Sequence, residues 1–185
     1  MFIETETTPN PATLKFLPGR AVMEQGTANF VDADAATRSP LAMRLFALDG
    51  VAGVFYGADF ITVSKADAAS WQQLKPAILG AIMDHFTSGA ALLTRTEAPL
   101  PDAPAGDEED DEVVSQIKEL LETRVRPAVA QDGGDIIFEA YADGIVYLQM
   151  HGSCSGCPSS TATLKAGIEN MLRHYVPEVV EVRAV

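Results

Sequence analysis

Apolar positions in the last third of the chain follow a helical period and then a β pattern. Five of them recur every three or four residues: Val113, Ile117, Leu120, Leu121 and Val125. This spacing predicts an amphipathic helix, which Pro127 and then Gly133-Gly134 are expected to end. The apolar segments 136–141 and 145–150 follow, and Asp143-Gly144 between them is a strong signal for a β-hairpin.

A second helix and a short strand are predicted after the hairpin. Pro158 suits the first turn of a helix, and an apolar stripe then runs from Leu164 to Tyr175. The segment Val179 to Val182 has the composition of a short closing strand. The order helix, hairpin, helix, strand predicts a small two-layer unit.

The first half of the chain predicts a second unit with its own strands and helices. Three strands are expected at Phe2–Thr7, Thr13–Leu17 and near Ala28–Val31. A helix from Ser39-Pro40 to Leu48, a hairpin over 51–64 and a helix over about 70–86 come next. Both halves thus contain helix, hairpin and helix in that order, and the fold class is α/β in the mixed α+β sense.

Charge separates the two halves. The chain has a formal net charge of −13, and eight of its acids but none of its bases lie in the proline-containing segment 97–112. Prolines keep such a segment extended and like charges repel, so we expect a solvated linker whose last acids begin a helix. The predicted organisation is a first domain at 1–96, a flexible acidic linker at 97–111 and a second domain at 112–185.

Composition also excludes several classes of function. An acidic chain has no basic face with which to bind nucleic acid or an anionic membrane surface. No apolar run approaches the ~20 residues of a membrane span, and the start of the sequence has acids where a targeting peptide has bases. Two cysteines this close together would brace almost nothing as a disulfide, so we expect a cytosolic protein with reduced thiols.

The two cysteines of the chain, Cys154 and Cys157, form a Cys-x-x-Cys pair in the loop before the last helix. A cysteine at a helix N-terminus faces the positive end of the helix dipole, so we expect its thiolate to be stabilised. Two thiolates are half of a four-thiolate site. The source of the other two ligands decides what this pair does.

Three kinds of chemistry use such a pair. A thioredoxin-like dithiol–disulfide oxidoreductase is the first, but 28 residues after Cys157 leave room for little more than one helix and one strand. Structural zinc is the second, and it needs four ligands where one chain offers two cysteines. An iron–sulfur cluster bound by two copies of the chain is the third, since two pairs supply four thiolates around a two-fold axis.

The residues around these cysteines resemble a known family. Three segments are similar to the C-terminal domain of NifU and Nfu proteins: Asp132-Gly133-Gly134-Asp135, the loop 152–160, and 164–169. The first half resembles the Nfu N-terminal domain, through Thr8-Pro9-Asn10-Pro11 with Leu14-Lys15-Phe16 and through 54–63. The resemblance covers nearly the whole chain outside the linker.

This resemblance implies a non-catalytic scaffold or carrier for iron–sulfur clusters. Cys154 and Cys157 match the family's ligands, so a homodimer is expected to hold a [4Fe–4S] cluster and pass it to apo iron–sulfur client proteins. A [2Fe–2S] cluster is compatible with the same four thiolates, and an upstream donor must supply the cluster. The N-terminal domain is expected to help recognise partners. The two-domain architecture resembles the mitochondrial and α-proteobacterial type, and the acidic start of the sequence then implies a bacterial cytoplasmic protein, with the mitochondrial matrix as the alternative for a processed form.

Some neighbouring residues are interpreted structurally. His151 is left out of the site, because a lone histidine is more often a strand or surface residue than a ligand. The 132–135 segment is interpreted mainly as a helix exit and strand entry, with shaping of the cysteine loop as the lesser alternative. Met43, Met83 and Met171 are predicted to lie in the core.

Overall fold

The computed structural model describes residues 2–94, 108–155 and 158–185. The chain divides into two compact units, residues 1–98 (the N-terminal unit) and 99–185 (the C-terminal unit). Each described unit combines helices with one sheet, so the fold class is mixed α+β in two domains. Helix α3 begins at Glu108, inside the segment 97–111 predicted as linker, and residues 97–107 of that segment lie outside the described residues.

The N-terminal unit is built on a five-stranded antiparallel sheet in the order β1-β2-β5-β4-β3. The strands are β1 (Glu4–Thr7), β2 (Thr13–Leu17), β3 (Ala28–Phe30), β4 (Val51–Tyr56) and β5 (Ile61–Lys65). A short 3-10 helix (Ala35–Arg38), which the sequence did not predict, precedes α1 (Pro40–Phe46), and α2 (Trp71–Ser88) follows the last strand. The other predicted elements of this half are present, with ends that differ by a few residues.

Two serines set the helix starts in this unit. Ser39 caps α1 by accepting a hydrogen bond from the amide of Ala42, and Ser70 caps α2 in the same way through Gln72. The apolar sides of both helices cover one face of the sheet and bury a core that includes Phe16, Phe30 and Tyr56.

The prediction that all three methionines lie in the core is wrong for two of them. Met43 is 51% exposed and Met83 is 44% exposed, because each lies on the side of its helix that faces away from the sheet. Met171 packs against the core of the C-terminal unit.

The C-terminal unit begins with one continuous helical region. It consists of α3 (Glu108–Leu120), a π-helical turn (Leu121–Val125) and α4 (Arg126–Gln131). Pro127 was expected to help end this helix, but it lies in the first turn of α4. A proline is tolerated there because a first-turn amide lacks an intrahelical acceptor, and the π turn restarts the hydrogen-bond pattern just before it.

The sheet of this unit has three strands in the order β6-β7-β8. β6 (Gly134–Ala142) and β7 (Ile145–Gly152) form the predicted hairpin, with positive φ angles of 51° and 78° at Asp143 and Gly144. α5 (Pro158–Tyr175) then returns the chain, so that β8 (Glu181–Ala184) pairs parallel to β7. The strand prediction at Val179–Val182 was two residues too early.

The core of this unit lies between the sheet and its helices. Alternate residues of β7, namely Val146, Leu148 and Met150, face Ile117 of α3 and Leu172 of α5. Cys154 belongs to the same buried cluster. The cysteine loop is therefore anchored in the core at its first thiol.

Candidate functional site

The candidate site is the loop between the end of β7 and the start of α5. Gly152 ends the strand with a φ of 64°, and Ser155 closes a turn by donating to the Gly152 carbonyl oxygen from both its amide (3.2 Å) and its hydroxyl (2.9 Å). Thr161 of α5 donates a hydrogen bond of 3.0 Å to the carbonyl oxygen of Cys154. Cys157 lies outside the described residues, so the structure positions one of the two predicted thiols.

Cys154 is a buried thiol, which differs from the sequence-based expectation. Its side chain is 5% exposed. Burial raises its pKa to about 11, the hydrogen bond with Ser153 opposes the increase, and the nearby charges of Asp132 and Asp135 add to it. The expectation of a stabilised thiolate is therefore wrong for the described conformation, because loss of solvent around the thiol raises its pKa.

The turn at 132–135 lies directly behind this cysteine. Ser153 makes two hydrogen bonds to it, from its hydroxyl to the Asp132 carbonyl oxygen and from its amide to the Gly133 carbonyl oxygen (3.2 Å). At Gly134 an added Cβ would lie 2.5 Å from Cys154 Sγ and 2.8 Å from the His151 carbonyl oxygen. The turn is thus both the exit of α4 and the wall against which the thiol packs.

An ion pair with a buried carboxylate fixes this turn to the preceding helix. Asp135, which is 3% exposed, accepts two hydrogen bonds from Arg126, from Nε to Oδ1 (2.8 Å) and from Nη2 to Oδ2 (2.9 Å). Asp135 Oδ1 also accepts from the Ile136 amide (2.8 Å), and Arg126 Nη1 contacts Glu122 one helical turn earlier. These acceptors raise the pKa of Arg126. Sequence reasoning included Asp135 in the 132–135 segment but missed Arg126 and the pairing, because no spacing rule links a helical arginine to an acid after a turn.

His151 is arranged as a strand residue. Its Nε2 lies 3.3 Å from Gln149 Oε1, the residue two positions earlier on β7. Burial lowers its pKa, and the charge of Asp135 opposes that decrease. Within the part of the chain that the structure describes, no three His, Cys, Asp or Glu side chains come together to hold a metal ion.

Comparison with known proteins defines the family. The domain described as "Scaffold protein Nfu/NifU N terminal" matches residues 3–89, and the "NifU-like domain" matches residues 117–183. The chain belongs to the Nfu/NifU family. Both matched ranges lie within the units described above, and the second contains the candidate site.

Full-length relatives agree with this assignment. The chain is 55% identical to the human "NFU1 iron-sulfur cluster scaffold homolog, mitochondrial", over 97% of this chain and 70% of that protein. It is 54% identical to "NifU-like protein 4, mitochondrial" of Arabidopsis thaliana, over 97% of this chain and 64% of that protein. The chain thus spans about two thirds of the length of such relatives.

Among solved structures, the chain matches the solution structure of a NifU-like protein from Saccharomyces cerevisiae. It overlaps 52% of this chain and 87% of its own, with a TM-score of 0.48 at 25% identity. The family assignment rests on the sequence matches.

The relatives bear on two further predictions. The human relative is named as an iron–sulfur cluster scaffold homolog, which agrees with the expected class. Their names place them in mitochondria, so the prediction of a bacterial cytoplasm has no support from them, whereas the mitochondrial alternative is consistent with them. None of the described helices is long and apolar enough to cross a membrane.

Proposed function

We propose that this protein carries an iron–sulfur cluster held by Cys154 and Cys157 of two protomers and delivers it to apo client proteins. The observation that supports the proposal is the number of cysteines in this chain, which belongs to the Nfu/NifU family. The sequence has two cysteines, both in the loop before α5, whereas a [4Fe–4S] cluster takes four cysteine thiolates. A symmetric pair of loops provides that number.

The position of Cys154 adds a step to loading. A thiol that is 5% exposed and has a pKa of about 11 is a poor iron ligand, because the ligand is the thiolate. Binding of iron therefore requires Cys154 to turn away from Gly134 and release its proton. The cluster supplies the free energy for both changes through its iron–thiolate bonds.

Delivery follows from the same geometry. A client thiolate forms a bond to iron as Cys154 or Cys157 leaves, and the released thiolate takes up a proton, so no electrons are transferred. Once Cys154 has been released and protonated, its thiol can return to the buried position, where the protonated form is stable. Two protomers that share one cluster separate as these exchanges proceed.

The alternative of a dithiol–disulfide oxidoreductase finds no support in the described conformation. Such enzymes depend on an exposed cysteine with a lowered pKa. Cys154 is buried and its pKa is raised. The observed order of helix, hairpin, helix and strand also lacks the sheet that would follow a thioredoxin-like Cys-x-x-Cys.

Anaerobic reconstitution tests the proposal. We expect about four irons and four sulfides per dimer, seen by native mass spectrometry as twice the 19.7 kDa chain plus cluster. Cys154→Ser and Cys157→Ser should each lose the cluster, and Ser155→Ala, in the same loop, should keep it. An intact cluster on a single chain would contradict the shared site.

Mixing of variants tests the sharing directly. Wild-type protein is mixed in excess with a tagged Cys154→Ser/Cys157→Ser chain, reconstituted and purified by the tag. A mixed dimer offers two thiolates, so the tagged fraction should contain no cluster. A full complement of cluster in that fraction would contradict the site shared by two protomers, but not the assignment of Cys154 and Cys157 as ligands.

Partners and compartment are parts of the same proposal. The human relative is named as a mitochondrial iron–sulfur scaffold, which supports apo iron–sulfur clients and an upstream cluster donor for this chain as well. Absence of cluster transfer to any apo client, from a dimer that binds the cluster stably, would restrict the function to storage. The bacterial cytoplasm stays a prediction, to be checked by fractionation of the source cells.

A further inference from the structure

We propose that Arg126 and Asp135 are a positioning pair that keeps Cys154 stored inside the cluster-free protomer. We call this ion pair the brace. It deepens the proposed function, because Cys154 is one of the proposed ligands, but it concerns the protein without cluster. Its test needs no iron, so its failure and a failure of the proposed function are distinguishable.

The brace restricts the 132–135 turn at both of its ends. The turn leaves α4 at Asp132, and the Asp135 carboxylate returns to Arg126 at the other end of the same helix through two hydrogen bonds of 2.8 and 2.9 Å. A two-point contact between planar groups fixes orientation as well as distance. The Asp135 carboxylate is buried while the Arg126 side chain is 28% exposed, so water has little access to the acceptor side of these bonds.

The turn holds the cysteine loop by its backbone. The Asp132 and Gly133 carbonyl oxygens accept hydrogen bonds from the hydroxyl and the amide of Ser153, the residue before Cys154. Both acceptors lie between the two anchoring points of the brace. Movement of the turn therefore moves Ser153 and the thiol that follows it.

The turn also forms one wall of the thiol pocket. The space a Cβ of Gly134 would take is within 2.5 Å of Cys154 Sγ and 3.0 Å of the Cys154 amide nitrogen. The other side of the thiol faces the apolar core. A thiol this closely enclosed reacts with a reagent in solution only after the loop leaves the turn.

The brace thus keeps the thiol out of solvent until a cluster is available. Exposed cysteines oxidise readily, and burial protects them. The brace does not destabilise the cluster-bound state if the 132–135 turn stays in place while the cysteine loop moves away from it. Release of Ser153 from two carbonyl oxygens is then the opening step.

Alkylation of Cys154 in the full cluster-free chain tests this inference. The reaction with iodoacetamide is followed by peptide mass spectrometry, which separates Cys154 from Cys157. Asp135→Asn should increase the Cys154 rate by about tenfold, which corresponds to ~1.4 kcal/mol of lost closure. The Cys157 rate is the internal reference, and far-ultraviolet circular dichroism verifies the fold.

Two further variants keep the test decisive if Asp135→Asn folds poorly. Ser153→Ala removes one hydrogen bond of the loop without changing a charge, and it should also increase the Cys154 rate. Arg126→Lys retains the charge but cannot form the two-point contact, so it should give an intermediate rate. Glu122→Gln is the matched control, since it removes the exposed partner of Arg126 and leaves the brace intact.

Hydrogen exchange gives a readout that does not depend on the thiol. The Ser153 amide donates to the Gly133 carbonyl oxygen, so its protection should decrease in Asp135→Asn and remain in Glu122→Gln. Wild-type alkylation and exchange rates in folded Asp135→Asn and Ser153→Ala would overturn the inference. The same rate increase in Glu122→Gln would also overturn it, by showing a general loosening of the helix.

Discussion

The N-terminal and C-terminal units share a local arrangement but differ in its chemistry. In each unit the chain leaves a helix through a glycine. That glycine packs against the loop that joins the following hairpin to the next helix. A Cβ at Gly50 would lie 2.5 Å from Ala69 Cβ, and one at Gly134 would lie 2.5 Å from Cys154 Sγ. In each, an amide of that loop also bonds to the helix exit, from Ala66 to Gly50 and from Ser153 to Gly133.

The units differ in the side chain that the shared arrangement encloses. The same close approach of glycine and loop holds a methyl group in one unit and a thiol in the other. A compact loop before a helix is therefore a structural solution in its own right, and the cysteines give one copy of it a chemistry. The units also differ beyond the second helix, since β8 pairs parallel to β7 whereas the N-terminal sheet is antiparallel throughout its described strands.

The largest expected contrast is in metal binding by the separated units. A fragment of residues 99–185 should bind the full complement of iron and sulfide per dimer, and a fragment of residues 1–98 should bind none, because both cysteines lie in the former. Anaerobic reconstitution with iron and sulfide analysis measures this. Equal iron on both fragments would show adventitious binding.

Both glycine contacts should be sensitive to added volume. Gly134→Ala should destabilise the C-terminal unit by about 3 kcal/mol, since overpacking of an enclosed site costs ~1–3 kcal/mol or more. Gly50→Ala should cost its unit more, because the φ of 101° at Gly50 adds backbone strain to the overpacking. Gly53→Ala is the control, because its nearest neighbouring atom is 3.7 Å from the new methyl group. Denaturant unfolding measures all three, and a neutral Gly134→Ala would show that the thiol has room to move aside.

The ion pairs of the two units should differ in strength. Asp135→Ala should lower the free energy of unfolding of the C-terminal unit by about 2 kcal/mol or more, because it leaves Arg126 without a buried, charged acceptor. Glu6→Ala should cost less than about 1 kcal/mol, since Glu6 is 55% exposed and its partner Lys15 also lies over the Phe60 ring. Equal losses in urea unfolding would contradict this ranking.

The smallest expected effect is a pH dependence confined to the N-terminal unit. His85 of α2 is 1% exposed and its Nε2 has no hydrogen-bond partner among the described residues. Burial, and then the charge of Arg44, lower its pKa. A lowered folded-state pKa means that stability is present above the unfolded-state value of ~6.5 and is lost as pH falls through the folded-state value.

Thermal unfolding from pH 8 to pH 5 measures this effect. The melting temperature of the N-terminal unit should decrease towards pH 5, and His85→Phe should flatten the profile. His174→Phe, on the C-terminal helix α5, is the matched control and should leave the N-terminal transition unchanged. An equal slope in His85→Phe would assign the pH dependence to other groups.

Local patterns predicted most of the elements and few of their contacts. Strand β2, the hairpin through Asp143-Gly144 and the serine-capped helix starts follow from rules that act over a few residues. The π turn before Pro127 and the exposure of Met43 do not, since they depend on how a helix is seated against its sheet. The candidate cysteines were found from spacing, whereas the brace and the burial of Cys154 were not.

Residue order, short-range periodicity and composition are enough to predict the two-unit order of elements, the cysteine pair and the family. The protonation state of the Cys154 thiol depends instead on tertiary packing. A helix N-terminus alone favours a thiolate, but enclosure of Cys154 by Gly134, Ser153 and the core removes the solvent that would stabilise its charge. That balance depends on residues about 20 positions away, which no local pattern brings together.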